Sequence, residues 1–175
     1  AMLYLAWDAG MKLGHRTHKL EELRDASNQD LTIKTAMMES RFLCGSKLLW
    51  METERELLKI QKWDRKNIIT QLLEAHAQRR QKHPMSMEPN IKEGVGGLRD
   101  ANTLFWICKI LFGSARLRDL VPELIDEEEF REFRVALEFL YRVRSALHLS
   151  AKKKQDVLNL EFIPDVSEKL GFQNK

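Results

Sequence analysis

The sequence predicts a mainly α-helical bundle with one short N-terminal strand, and three observations carry that reading. Between Lys19 and His83 there is no proline and a single glycine, Gly45, so chain breakers are too sparse for anything but long helices. Leu98 to Phe112 places Leu98, Ala101, Leu104, Phe105, Cys108, Leu111 and Phe112 on one stripe at helical spacing, with Trp106, Ile107 and Ile110 adding apolar surface outside it. At the N-terminus the period changes: Leu3, Leu5 and Trp7 alternate with Tyr4, Ala6 and Asp8, the two-residue repeat of a strand.

Each element has local signals. Asp30 is an N-cap for a helix from Leu31 to about Leu43, which Gly45 stops, and Ser46 caps the next. From Ser46 to His83 the chain is dense in strong helix formers and reads as one long helix or two, with Asp64 as an internal cap and His83-Pro84 as the end. Residues 84–97 hold two prolines and three glycines, which makes this segment a structured loop. Asp126 and Glu129 form a capping box for a helix running to about Ser150, with Phe130, Phe133, Leu137, Leu140 and Leu147 as its buried stripe. Val157, Leu158, Leu160 and Phe162 predict a second short extended piece, before Pro164 opens a brief helical turn that Gly171 closes.

Composition narrows the class of function. Of 175 residues, 43% are apolar and 31% charged, which is globular and excludes low-complexity or collagen-like chains. Lys and Arg number 29 against 26 Asp and Glu, and a dispersed net charge of +3 gives no footprint for nucleic acid. No apolar run approaches the roughly 20 residues of a membrane span, and no secretory signal is expected, so neither membrane nor export is predicted and a cytoplasmic protein is. Cys44 and Cys108 are too far apart in helix-like sequence for a disulfide framework or a zinc box.

The chemistry concentrates in Glu88 to Asp100. Gly94, Gly96 and Gly97 lie where a helix begins, and glycines let backbone N–H groups approach an anion there. Lys92 and Arg99 flank the turn, one a mobile charge and the other a forked donor, so the segment is a candidate phosphate site; the alternative is a plain turn with Asp100 paired to Arg99. Arg144 falls on the apolar stripe of its helix beside Tyr141 and His148, either as part of a ligand edge with Asp100 as its partner or reaching out to solvent from the margin. Gly45-Ser46 with Glu52 and Glu54 imitates a nucleotidyltransferase metal motif, but a helix turns those carboxylates about 200° apart. His15, His18, His76 and His83 read as surface histidines, and Lys152 to Lys154 as a solvated loop.

The stretch Pro89-Asn-Ile-Lys-Glu-Gly-Val-Gly-Gly-Leu-Arg-Asp100 closely resembles the signature of bacterial PII uridylyltransferases. Leu5 to His15, Glu39 to Gly45, Phe105 to Ile107, Arg142 to His148 and Leu158 to Phe162 agree with further family stretches in the same order, so the likeness spans almost the whole chain. It implies a bifunctional enzyme: a nucleotidyltransferase domain of the polymerase beta type moves UMP from UTP to the PII signalling protein with Mg2+, an HD domain removes it, and ACT domains sense glutamine.

By that likeness residues 1–18 are the edge of the transferase sheet, 19–150 the helical domain that follows and 151–175 a connector toward an HD domain. Such a piece is expected to lack activity alone. The loop itself assigns Lys92 and Arg99 to triphosphate binding with Asp100 orienting Arg99, Gly94, Gly96, Gly97 and Arg144 complete the expected nucleotide-binding set, and the likeness casts Asp8 as a metal-binding carboxylate of the strand. Two departures stand out: Arg16-Thr17-His18-Lys19 follows Gly14-His15 where a Ser-x-Arg-Thr-like stretch is usual, and Val95 stands where proline or lysine is common. Glutamine synthetase adenylyltransferases share a shorter version of the glycine box and are the alternative family. A noncatalytic helical module that docks PII or a neighbouring domain is the alternative class.

Overall fold

The computed structural model describes residues 2–11, 13–114 and 116–172, and the chain forms two compact units, Ala1–Ile60 and Gln61–Lys175. In the first unit, Met2–Asp8 is a helix, α1, which corrects the expected N-terminal strand. Residues 2–7 are all apolar, so alternation along them cannot distinguish a period of 2 from 3.6, and the Met-Leu-Tyr-Leu-Ala run contains good helix formers. The decisive signal is Gly10. At φ +76° it closes the helix, with Gly10 N–H donating to Trp7 O at 2.8 Å and Met11 N–H to Ala6 O at 2.9 Å, the paired bonds of a Schellman motif.

Three more helices complete this unit: α2 (Leu23–Gln29), α3 (Leu31–Met38) and α4 (Lys47–Trp63), the last running on into the second unit. Asp30 caps α3 as expected, its carboxylate accepting from Thr32 N–H at 2.7 Å. That helix ends five residues earlier than the sequence predicts, because the Ser40 hydroxyl donates to Met37 O at 2.6 Å and competes for a terminal carbonyl before Gly45 is reached. Ser46 then caps α4 through its hydroxyl, which accepts from Leu49 N–H at 3.3 Å. α2 packs on α3, and Leu23, Ala26, Ile33 and Met38 are buried.

The second unit holds α5 (Arg65–Lys82), α6 (Leu98–Phe112), α7 (Glu127–Ala151) and α8 (Ile163–Lys169). α6 has the predicted limits, and Gly113 at φ +79° supplies its left-handed cap. Its buried arc is rotated from the predicted stripe: Thr103, Trp106 and Ile110 are buried, whereas Leu104, Leu111 and Phe112 are exposed. α6 packs on both α5 and α7, and two neighbours demand a wider and shifted apolar face than one stripe provides. The Asp126 and Glu129 capping box forms as predicted, with Asp126 Oδ1 accepting two N–H groups at 2.8 Å and Glu129 accepting Asp126 N–H at 3.3 Å.

Leu147, completely buried, centres a core of Ile91, Val143, Ala146 and Val166, flanked by Leu140, Leu158, Phe162 and Leu170. A second cluster joins Cys108 to Leu117 and Leu120, with Phe105 and Phe133 meeting edge to face at 5.9 Å. Burial pushes the Cys108 thiol up, consistent with a packing role. The expected second extended piece is a single bridge between Asn90 and Val157 followed by a 3-10 turn, Leu160–Phe162. That bridge matters for position: Ile91 N–H donates to Asp156 O at 2.8 Å and Leu158 N–H to Pro89 O at 3.0 Å, clipping residues 156–158 onto the glycine loop.

Candidate functional site

The loop from Asn90 to Asp100 is built by close backbone approach. Asn90 Oδ1 accepts from Lys92 N–H at 3.0 Å and Glu93 N–H at 2.8 Å, and Gly94 N–H returns to Asn90 O at 2.8 Å. Leu98 and Arg99 N–H groups donate to Ile91 O and Lys92 O at 3.1 and 2.9 Å, which folds the turn onto the first turn of α6. Two glycines are sterically required: a Cβ at Gly94 would lie 2.5 Å from Asn90 O, and one at Gly97 would lie 2.8 Å from Ile91 O and 2.9 Å from Gly94 O. Gly96 has open space around it but sits at φ +72°.

This turn fixes the charged side chains. Lys92 Nζ lies 2.9 Å from Glu93 Oε1, and the Arg99 guanidinium approaches the same oxygen at 3.6 Å while its other side lies over the Trp106 ring at 5.9 Å. Lys92 and Arg99 therefore converge on one carboxylate oxygen. Asp100 does not orient Arg99. Its Oδ1 takes Arg79 NH2 at 2.7 Å and faces His76 Nε2 at 3.3 Å, and its Oδ2 accepts Gly96 N–H at 2.9 Å. Arg79 also reaches Thr103 Oγ1 at 3.4 Å, and that hydroxyl donates to Arg99 O at 2.9 Å. Asp100 is thus the pin that ties α5, the glycine turn and α6 together.

Arg144 also differs from both of its predicted settings. It neither meets Asp100 nor runs out to solvent; its Nε lies 2.7 Å from Asp156 Oδ1, with His148 Nε2 at 3.6 Å from the same oxygen. Tyr141 stays exposed, on a groove of about 730 Å³ lined by Arg134, Glu138, Arg142 and Leu149. Through the 156–158 clip the Arg144 pair adjoins the turn, and the charge of Lys92 acts on Asp156 as well as on Glu93.

Three carboxylates are interleaved with cations here, and all three titrate below their ordinary range. Burial alone would raise each. For Glu93 it is outweighed by the Lys92 hydrogen bond and the charges of Lys92, Arg99 and Arg79. For Asp100 it is outweighed by the bonds from Arg79 and Gly96 N–H and the charges of His76 and Arg79, and for Asp156 by Arg144, Lys92 and His148. Four permanent cations, Arg79, Lys92, Arg99 and Arg144, thus face three carboxylates, an excess of positive charge that suits an anionic ligand.

Sequence reasoning missed Arg79, His76, Glu93 and Asp156. The first two are on α5, distant in sequence from the loop, and basic residues at a helix C-terminus read as ordinary dipole partners. His76 is half-buried against Asp100 and is no surface histidine. Asp156 carries no local signal: it lies in the irregular stretch after α7, twelve residues past Arg144, and the Asn90 to Val157 bridge beside it joins that stretch to the glycine loop. Glu93 alone was legible, lying inside the loop between Lys92 and the first glycine.

Asp8 is exposed at the last turn of α1, and the strand from which it was expected to project does not form. Among the described residues no group of three or more His, Cys, Asp or Glu side chains is placed to hold a metal ion. Asp8 belongs to no such group. No helix among the described residues is long and apolar enough to cross a membrane.

The second unit is a helical module that presents a charge-lined glycine turn at the start of α6. The family model described as GlnD PII-uridylyltransferase matches residues 67–175, which takes in all but the first two residues of α5, the whole turn and the Arg144 to Asp156 pair. The chain belongs to that family. It is 35% identical over 179 residues to a bifunctional uridylyltransferase/uridylyl-removing enzyme of Phenylobacterium zucineum, covering 99% of this chain and 19% of the relative. A similarly named enzyme of Idiomarina loihiensis is 36% identical over 172 residues, covering 96% and 20%, and one of Rhodopseudomonas palustris 34% over 176 residues, covering 98% and 19%. The chain therefore spans about a fifth of the length of the curated relatives it matches. No solved structure matches it.

Proposed function

We propose that this chain is the helical, nucleotide-facing part of a nucleotidyltransferase that transfers UMP from UTP to the PII signalling protein, and that the Asn90 to Asp100 turn receives the triphosphate. The observation that carries the reading is the convergence of Lys92 and Arg99 on one carboxylate oxygen beside the glycine turn. Two cations held at that separation make paired contacts to neighbouring phosphate oxygens, the lysine as a point charge and the arginine as a fork. Asp100 and Arg79 hold the turn and α6 in register, and Arg144 with Asp156 anchors the far side of the loop. The family's transfer chemistry needs a divalent metal at the phosphates; Mg2+ and its carboxylate ligands belong to the parts of the reaction centre that these residues do not make. In keeping with that division, the chain by itself binds nucleotide without turning it over, within a cytoplasmic enzyme whose HD and ACT domains do the removal and the sensing.

Calorimetric titration of UTP into the wild-type chain and into Lys92→Ala and Arg99→Ala variants tests the reading. Each substitution removes one charge-assisted contact of roughly 1.5 kcal/mol, so affinity falls about tenfold while the melting temperature stays near the wild-type value. Equal affinities across the three proteins would contradict it.

A further inference from the structure

We propose that Glu93 is a built-in competitor for the anion site: its carboxylate occupies the place between Lys92 and Arg99 that a phosphate oxygen takes, and only an anion of several charges displaces it. The inference rests on the phosphate-site reading above and adds to it a basis for selecting polyphosphates.

The geometry separates the two roles that Glu93 has. Its contribution to the turn is made by the backbone, whose N–H donates to Asn90 Oδ1 at 2.8 Å. Its side chain bonds to the side chain of Lys92 rather than to the backbone of the turn, unlike Asp100, whose carboxylate accepts Gly96 N–H. What the Glu93 side chain does is accept both cations on Oε1, at 2.9 Å from Lys92 and 3.6 Å from Arg99. The three side chains remain 25%, 27% and 31% exposed respectively, so water reaches the carboxylate that a ligand would displace.

An internal carboxylate has a high effective concentration at its own cations, commonly in the millimolar range, and a singly charged anion making one contact gains nothing by replacing it. A chain of phosphates gains, because it takes Lys92 and Arg99 through separate oxygens while Glu93 returns to solvent. Discrimination of this kind comes from an interaction that opposes the wrong ligand as much as from one that favours the right ligand.

Inorganic tripolyphosphate and inorganic phosphate, titrated calorimetrically into wild type, Glu93→Gln and Glu93→Asp, test this. Glu93→Gln keeps the side-chain volume and removes the charge; Glu93→Asp keeps the charge and withdraws it by one methylene. Tripolyphosphate is expected to bind Glu93→Gln about fivefold tighter than wild type, with Glu93→Asp between them, and inorganic phosphate to gain more than tripolyphosphate, so that selectivity narrows. Tripolyphosphate that binds wild type but binds Glu93→Gln no tighter would overturn the competitor role and leave the phosphate site standing. Tripolyphosphate that binds none of the three proteins would overturn both.

Discussion

Arg79 on α5 and Asp100 on α6 meet at 2.7 Å, and the other oxygen of the same carboxylate accepts Gly96 N–H. One side chain therefore couples two helices to the tip of the turn between them. The pair is mostly buried, at 12% and 21% side-chain exposure, and removing one partner leaves the other charge without compensation. Asp100→Asn should destabilise the protein by about 2 kcal/mol in urea unfolding, the buried-pair cost discounted for partial solvent access. Arg99→Ala, which breaks only the looser 3.6 Å contact, should cost about 0.5 kcal/mol.

The glycines should rank by sterics. Gly94→Ala and Gly97→Ala drive a methyl group into backbone oxygens that hydrogen-bond geometry holds in place, and each should cost about 3 kcal/mol. Gly96→Ala meets no atom and bears only the left-handed backbone cost of about 1 to 2 kcal/mol. Thermal melts of the three variants give the order directly, and a Gly96 variant that is the least stable of the three would refute the turn geometry.

Stability should rise with pH across the acid range. Glu93, Asp100 and Asp156 are all depressed in the folded protein, so between their folded and unfolded values the unfolded chain binds more protons. The contribution is complete above the ordinary carboxylate range near about pH 4 and is lost as pH falls below it. Urea midpoints between pH 6 and pH 3 should drop for wild type and drop less for Asp100→Asn. A parallel fall in the two proteins would show that Asp100 is not among the groups responsible.

Much of this architecture was legible because its signals are local. Asp30, Ser46, Asp126 with Glu129, and Gly171 each end or begin a helix through bonds to residues a few positions away, and each was readable as a cap or stop. Phe105 and Leu98 mark α6 by period alone. What failed was of two kinds. Where every residue is apolar, as in Met2 to Trp7, periodicity carries no information and Gly10 was the better guide. Where a partner comes from another element, as Arg79 for Asp100 or Asp156 for Arg144, spacing gives no hint, and Arg144 was read without the carboxylate that explains its place on an apolar stripe. Lys92, Arg99 and Asp100 were found because glycines and charges share one short segment; Arg79, His76 and Asp156, which other elements bring to it, were not.

Leu147 should be the most sensitive core position. It is completely buried among Ile91, Val143, Ala146 and Val166, so it also supports the base of the loop through Ile91. Leu147→Ala should cost about 3 to 4 kcal/mol in denaturant unfolding. Leu149→Ala, two residues on and exposed, should cost less than about 0.5 kcal/mol.

The most direct test of the central claim is a map of backbone amide chemical shifts as UTP is added to the chain. The account predicts concentration-dependent changes at Lys92, Glu93, Gly96, Gly97 and Arg99, saturable and abolished in a Lys92→Ala, Arg99→Ala double variant. Saturable shifts confined to residues outside Asn90 to Asp100, or shifts at the turn that persist in the double variant, would contradict it.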